Sequence, residues 1–258
     1  GDQVNHYLNK SDLVLAVGSS LSPGRFSHGI PNAVNKRIIH CNIDELHVNK
    51  TYPTAQAVIG DAKFALQALT AEMSAKTASN GRPAGNVAAE VKSVRDSAMV
   101  KYREAMASTE KPINPYKVYA GLMEALDPHK SFVTHESGNT RDQLSTVYDT
   151  LVPRAFLGWG NVSSLGFSFA ATIAAKLSFP EKQCVAVTGE AGLGYMLGQL
   201  EVALRQKIGI TVVHVSNGGF AGYGPGFWGD GHDPFTHKVL GYDEVDMSKV
   251  IGEMGYHT

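Results

Sequence analysis

The stretch that most constrains the fold is residues 188–224. Together with the strand that precedes it, this stretch forms a strand–helix–strand unit with a glycine-rich turn after each strand. Strands are predicted at residues 183–187 and 210–215. Between them, apolar residues near helical spacing predict a helix, namely Met196, Leu197, Leu200, Ala203 and Leu204. Because both strands of such a unit run in parallel, their turns meet at one edge of the sheet, where open α/β sheets bind ligands.

The two turns carry oxygen-bearing side chains, Glu190 in the first and Asn217 in the second. Mg²⁺ prefers oxygen ligands and readily shares its shell with phosphate oxygens. The backbone N–H groups of Ala191 and Gly192, at the start of the predicted helix, would favour an anion. Spacing alone therefore predicts a Mg²⁺–diphosphate site and an ordinary pair of turns about equally well.

This stretch resembles the thiamine diphosphate (ThDP) motif of the acetolactate synthase and 2-oxoacid decarboxylase superfamily, which begins Gly-Asp-Gly and ends Asn-Asn. The chain has Gly189-Glu190-Ala191 and then Ser216-Asn217, so Glu, Ala and Ser replace Asp, Gly and the first Asn. The resemblance implies that Glu190, Asn217 and the carbonyl of Gly219 bind Mg²⁺. It also implies that Phe220 adjoins the cofactor.

Two earlier segments match the same family. By resemblance, the turn after a predicted strand at residues 131–134 contacts the diphosphate through Gly138 and Asn139, together with Ala191 and Gly192. In the glycine- and alanine-rich segment at residues 158–177, the resemblance implies that Leu165 wedges between the two cofactor rings. Ser163 would offer its carbonyl to the cofactor's amino group. Without the resemblance, Leu165 is better explained as a core leucine at a helix start.

The resemblance also predicts the domain organisation, an α/β chain with two doubly wound parallel-sheet domains. Residues 1–74 correspond to the later half of the family's central domain, 75–110 to a linker and helix, and 111–258 to an incomplete C-terminal ThDP-binding domain. Some central domains in the family bind FAD or an ADP group. Asp44 follows a predicted strand, but no G-x-G-x-x-G motif accompanies it, so a solvated turn is the favoured interpretation.

The catalytic residues are not identified by the sequence. The family's N-terminal domain, which supplies the glutamate that activates ThDP, has no counterpart here. His232, in a glycine-dense and aromatic segment, is a candidate substrate contact or an incidental exposed histidine. The resemblance implies a homo-oligomer, a dimer or a tetramer, or a separate chain that supplies the N-terminal domain.

The composition of the chain limits the kinds of partner that it is expected to bind. The chain is 43% hydrophobic and 18% charged, which is enough apolar content for a buried core. A net charge of −1 without a basic run argues against nucleic acid, and no apolar run has the length of a membrane span. Cys41 and Cys184 lie in predicted buried strands and are expected to be free thiols, as in a cytoplasmic protein.

The predicted function is ThDP- and Mg²⁺-dependent carbon–carbon bond chemistry on a 2-oxo acid. Carboligation of the acetolactate synthase type is the first expectation and decarboxylation the second. A 2-hydroxyacyl-CoA lyase-type enzyme fits the same motif. The three replacements in the motif also leave open a non-catalytic homologue with a degenerate cofactor site.

Overall fold

The computed structural model describes residues 2–22, 29–77, 85–160, 162–219 and 245–258. It divides into two compact units, Gly1–Lys101 and Tyr102–Thr258. Each unit contains one parallel sheet with helices alongside it in the chain. The predicted α/β class with two parallel sheets is confirmed.

The first unit contains a three-stranded parallel sheet in the order β1-β2-β3. Its strands are β1 (Leu13–Val17), β2 (Arg37–Asn42) and β3 (Gln56–Ile59), and its helices are α1 (Asp2–Lys10), α2 (Ala62–Lys76) and the first part of α3 (Val87–Met106). Helix α2 begins at Ala62 because the Asp61 carboxylate accepts a hydrogen bond from the Lys63 N–H at 2.8 Å and so caps the first turn. Asp44 caps a short 3₁₀ turn through the Leu46 N–H at 2.9 Å, as expected of a turn residue.

The second unit contains a four-stranded parallel sheet in the order β5-β4-β6-β7. The strands are β4 (Ser131–His135), β5 (Phe156–Leu157), β6 (Gln183–Thr188) and β7 (Thr211–His214). The helices are α4 (Pro115–Ala125), α5 (Asn139–Val147), α6 (Phe167–Ser178), α7 (Glu190–Met196), α8 (Leu200–Arg205) and α9 (Met247–Glu253). The crossover order places the carboxyl ends of β4, β6 and β7 at one edge of this sheet.

The segment after β6 differs from the single helix that its apolar spacing predicts. Helix α7 already begins at Glu190, inside the predicted turn, and a 3₁₀ turn at Leu197–Gln199 separates it from α8. Glycines at 194 and 198 weaken helix propensity there, while Leu193 and Leu200 are both buried in one cluster with Phe169 and Ala203. Burial of leucines on both sides of the break thus fixes the position of α7 against α6.

Hydrogen bonds continue the sheet beyond its strands and lead directly into the turns. The Glu136 N–H donates to the Val187 carbonyl at 2.9 Å, and the Val215 N–H donates to the Thr188 carbonyl at 2.8 Å. The residues that follow β4, β6 and β7 therefore start from fixed positions at the same edge.

The state of the cysteines and the length of the helices bear on the expectations drawn from composition. Cys41 and Cys184 are free and buried, which confirms that prediction. No helix within the described ranges is both long and apolar enough to cross a membrane.

Candidate cofactor site

Glu190 joins the turn after β6 to the turn after β7. Its Oε1 atom accepts hydrogen bonds from the Ser216 hydroxyl at 3.1 Å, the Asn217 N–H at 2.5 Å and the Gly218 N–H at 2.7 Å. A glutamate reaches these donors because of its extra methylene relative to aspartate. The Ser216 hydroxyl, at the position of the motif's first Asn, takes part in the same arrangement.

The other carboxylate oxygen of Glu190, Oε2, lies beside the Asn217 side-chain amide, and the Gly219 carbonyl oxygen lies beside the same amide. The inward atom of that amide lies 2.8 Å from the Gly219 oxygen and 3.0 Å from Glu190 Oε2. With nitrogen inward, the amide donates to both oxygens. With oxygen inward, the amide oxygen lies next to two further acceptor oxygens, one from Glu190 and one from Gly219.

This group of oxygens around the Asn217 amide fits a Mg²⁺ ion. Ligands at about 2.1 Å in octahedral geometry have neighbours about 3.0 Å apart, which matches the 2.8 Å and 3.0 Å separations around the Asn217 amide. One carboxylate oxygen, one amide oxygen and one backbone carbonyl are hard donors of the type that Mg²⁺ prefers. The residues present therefore fit the metal that the resemblance implies.

The turn after β4 meets the loop that precedes α6. Ser137 Oγ and Ser163 Oγ are hydrogen-bonded at 2.5 Å, which brings Gly138 and Asn139 near the loop that carries Leu165. Gly138 has φ 91° and ψ −144°, a conformation that a residue with a Cβ rarely adopts. Its carbonyl accepts from the Arg141 N–H at 3.1 Å and so starts α5.

The start of α7 packs closely against two buried side chains. A Cβ atom added at Gly192 would lie 2.4 Å from Glu136 Cγ and 2.6 Å from Thr188 Oγ1. The first bond within α7 runs from the Leu193 N–H to the Gly189 carbonyl at 3.0 Å. The N–H groups of Ala191 and Gly192 precede that bond and are not used by the helix.

Glu136 is the residue at this edge that the sequence did not identify. It is 1% exposed, and it accepts hydrogen bonds from the Ser137 N–H and from the Ser168 hydroxyl. An acidic residue directly after a strand is a common sequence feature, and only the contacts across the sheet distinguish this one.

Two histidines at the strand ends have depressed pKa values. Burial lowers the pKa of His135, although a hydrogen bond with the Glu136 carbonyl opposes the shift. Burial also lowers the pKa of His214, with the Glu190 charge opposing it. Both side chains are therefore favoured in their neutral form by the fold.

Protein stability is expected to fall on mild acidification. Since the folded-state pKa values of His135 and His214 lie below the unfolded value, their contribution is complete above about pH 6.5 and is lost as the pH falls below it. Thermal unfolding followed between about pH 8 and pH 5.5 should show this decline. A His135→Gln, His214→Gln double variant should show a shallower decline, and an unchanged slope would contradict the assignment.

The structure places most of the predicted site residues within the second unit. Glu190, Asn217 and Gly219 come together through the contacts above, and Ser163 reaches the turn that holds Gly138 and Asn139. Leu165 is partly buried in the loop between Ser163 and the start of α6. Phe220 and His232 lie outside the described residues.

Comparison with known proteins identifies the family. Residues 1–69 match the model described as thiamine pyrophosphate enzyme, central domain, and residues 136–258 match thiamine pyrophosphate enzyme, C-terminal TPP binding domain. The chain belongs to the thiamine pyrophosphate enzyme family. The model that residues 136–258 match is that of the family's cofactor-binding domain.

Several curated proteins are similar over most of the chain. A probable acetolactate synthase large subunit of Methanococcus aeolicus is 26% identical over 217 residues, 81% of this chain and 36% of that protein. Acetolactate synthase isozyme 3 large subunit of Escherichia coli is 23% identical over 83% of this chain and 37% of its own length. Oxalyl-CoA decarboxylase of the same organism is 23% identical over 88% of this chain and 38% of its own length. The chain thus spans little more than a third of these relatives.

Proposed function

We propose that this chain binds ThDP through a Mg²⁺ ion held by Glu190, Asn217 and the carbonyl of Gly219. The observation that carries the proposal is that the inward atom of the Asn217 amide lies 2.8 Å from the Gly219 carbonyl oxygen and 3.0 Å from Glu190 Oε2. The hydrogen bonds of Ser216, Asn217 and Gly218 to Glu190 Oε1 leave Oε2 directed at the metal position. The longer glutamate is in this way accommodated, which favours a working site over a degenerate one.

The diphosphate of the cofactor is assigned to the two neighbouring turns. Gly138 and Asn139 would bind it from the turn after β4, and the backbone N–H groups of Ala191 and Gly192 would bind it from the start of α7. Ser163 and Leu165, in the loop bridged to Ser137, would contact the cofactor's rings, and Phe220 is kept as a proposed contact by resemblance. The Ser137–Ser163 hydrogen bond supports this grouping because it ties two of the segments together.

Membership of the family supports the reaction class that we propose. ThDP, when bound, supplies the reactive carbon that adds to the carbonyl of a 2-oxo acid. The role of this chain would be to bind and orient the cofactor and to exclude water from the surface of the cofactor that it covers. We propose carboligation of the acetolactate synthase type, or simple decarboxylation, as the activity of the whole protein.

A second candidate is chemistry on an acyl-CoA substrate, as in a 2-hydroxyacyl-CoA lyase-type enzyme. The similarity to an oxalyl-CoA decarboxylase covers 88% of this chain and favours keeping it. In either case we propose that the active site is completed in a homo-oligomer, a dimer or a tetramer, or by a separate chain that carries the N-terminal domain. A FAD or ADP site in the first unit and a cytoplasmic location stay predictions from the sequence.

Calorimetric titration of ThDP into the purified chain tests the cofactor assignment. We expect saturable binding of one ThDP per chain in the presence of Mg²⁺, and its loss when EDTA removes the metal. Binding that is indifferent to EDTA would contradict the metal site. Absence of binding, both for the chain alone and with an N-terminal domain of the family supplied, would contradict the function. Turnover of 2-oxo acids compared with acyl-CoA substrates then separates the two candidate activities.

A further inference from the structure

Glu136 is a buried carboxylate at the end of β4 that contacts three separate segments of the second unit. Its side chain is 1% exposed, although glutamate is rarely buried to this extent without a partner. Each of its described hydrogen-bond partners is an uncharged donor. Such a costly arrangement suggests a role beyond filling space.

The first two segments are held by the carboxylate oxygens. Oε1 accepts from the Ser137 N–H at 3.1 Å, in the turn that continues to Gly138 and Asn139. Oε2 accepts from the Ser168 hydroxyl at 2.9 Å and the Ser168 N–H at 3.4 Å, in the first turn of α6. Because α6 has Gly166 at its N-cap, without a side chain to satisfy the first N–H groups, Glu136 supplies that acceptor from another element.

The third segment is held by the carbon stem of the same side chain. The position of a Cβ at Gly192 is only 2.4 Å from Glu136 Cγ and 2.7 Å from Cδ, so the backbone of α7 lies directly against the stem. Gly166, just before α6, would in turn meet Met196 of α7 at 2.8 Å if it carried a Cβ. The three segments therefore meet around one side chain with little space to adjust.

We propose that Glu136 is a positioning residue that sets the spacing between the turn at residues 137–139, the loop at residues 163–166 and the start of α7. These are the segments to which the cofactor's diphosphate and rings are assigned, so the inference rests on the proposed function. Glu136 is 1% exposed and acts through the Ser137 and Ser168 donors and through Gly192.

Three variants of the full chain separate positioning from general stabilisation. Glu136→Ala removes both the acceptor and the stem, and Glu136→Gln keeps the stem and one acceptor oxygen, while the Ser168 hydroxyl can turn to accept from the new amide. Thr134→Val is the matched control: Thr134 is 0% exposed on β4, and its hydroxyl hydrogen-bonds to the Ser168 carbonyl at 2.8 Å and to the Thr172 hydroxyl at 2.7 Å, both in α6. None of its described hydrogen bonds reaches the turn at residues 137–139 or the start of α7.

Two measurements are made on each variant. Amide hydrogen exchange without cofactor should speed up in Glu136→Ala at residues 137–139, 163–168 and 190–193, and remain close to wild type there in Glu136→Gln. ThDP titration with Mg²⁺ should show about tenfold weaker binding for Glu136→Ala, and at most about a threefold change for Glu136→Gln and for Thr134→Val.

The outcomes distinguish this inference from the proposed function. If wild type binds ThDP and folded Glu136→Ala binds it equally well, Glu136 has no positioning role. If Glu136→Gln is impaired as much as Glu136→Ala, the charge matters rather than the contacts, and the inference is again wrong. If wild type does not bind ThDP, either alone or with the N-terminal domain supplied, the proposed function fails, while the exchange rates still decide whether Glu136 holds the three segments together.

Discussion

Replacement of Glu190 with glutamine is expected to weaken Mg²⁺-dependent ThDP binding by about a hundredfold or more while the fold is retained. The glutamine carbonyl can still accept from Ser216, Asn217 and Gly218, as Oε1 does now. Its NH₂ group would then face the Asn217 amide oxygen, where it can donate a hydrogen bond but cannot coordinate a metal. Calorimetric titration at fixed Mg²⁺ measures the loss, and thermal unfolding verifies the fold.

A matched control is available on the helix that follows. Glu201→Gln makes the same chemical change at an exposed position, where the side chain forms an i,i+4 pair with Arg205 at 2.7 Å. Such pairs contribute little, so ThDP affinity should stay at the wild-type value. Equal affinities of Glu190→Gln and wild type would show that Glu190 is not a metal ligand.

Substitution of Gly192 with alanine is expected to lower the free energy of unfolding by about 3 kcal/mol. The new Cβ would lie 2.4 Å from Glu136 Cγ and 2.6 Å from Thr188 Oγ1, so either the start of α7 or the buried glutamate must move. Urea denaturation followed by circular dichroism measures the change. Because α7 carries Glu190, the displacement should also weaken ThDP binding.

Gly194→Ala in the same helix is the control for this prediction. Apart from its chain neighbours and the backbone of its own helix, no atom of the described residues lies within 4 Å of the added Cβ, and alanine is the better helix former. Its free energy of unfolding should rise by up to about 1 kcal/mol. If both glycine variants behaved alike, close packing at Gly192 would not be the reason for its glycine.

The sequence predicted the strands whose residues are buried on both faces. Strands β4 and β6 contain adjacent buried apolar residues, Phe132 and Val133 in β4 and residues 184–187 in β6, and each was placed to within one residue at either end. Strand β5 was missed because its two residues are too few for a periodic pattern to emerge. Strand β3 was missed although β7, of the same length, was found. Helix α5 was missed because its sequence, which begins with Asn139, is largely polar.

The residues of the candidate site also divide into those that the sequence predicted and those that it did not. Glu190 and Asn217 were found because they occupy a motif with fixed order, and the structure brings them into contact. Glu136 was missed because its importance depends on Ser168 and Gly192, which are distant in sequence and meet it only after the sheet has formed. Local pattern thus predicts the residues that a motif defines, while contacts between elements define the residues that hold the motif in place.

The three hydrogen bonds to Glu190 Oε1 have a consequence for the entropy of ligand binding. A glutamate side chain normally has several rotamers, and ordering it costs up to about 2 kcal/mol. Here the donors of Ser216, Asn217 and Gly218 order it during folding. A cation that arrives at Oε2 meets a carboxylate already restricted to one orientation, so more of the interaction energy remains available as affinity.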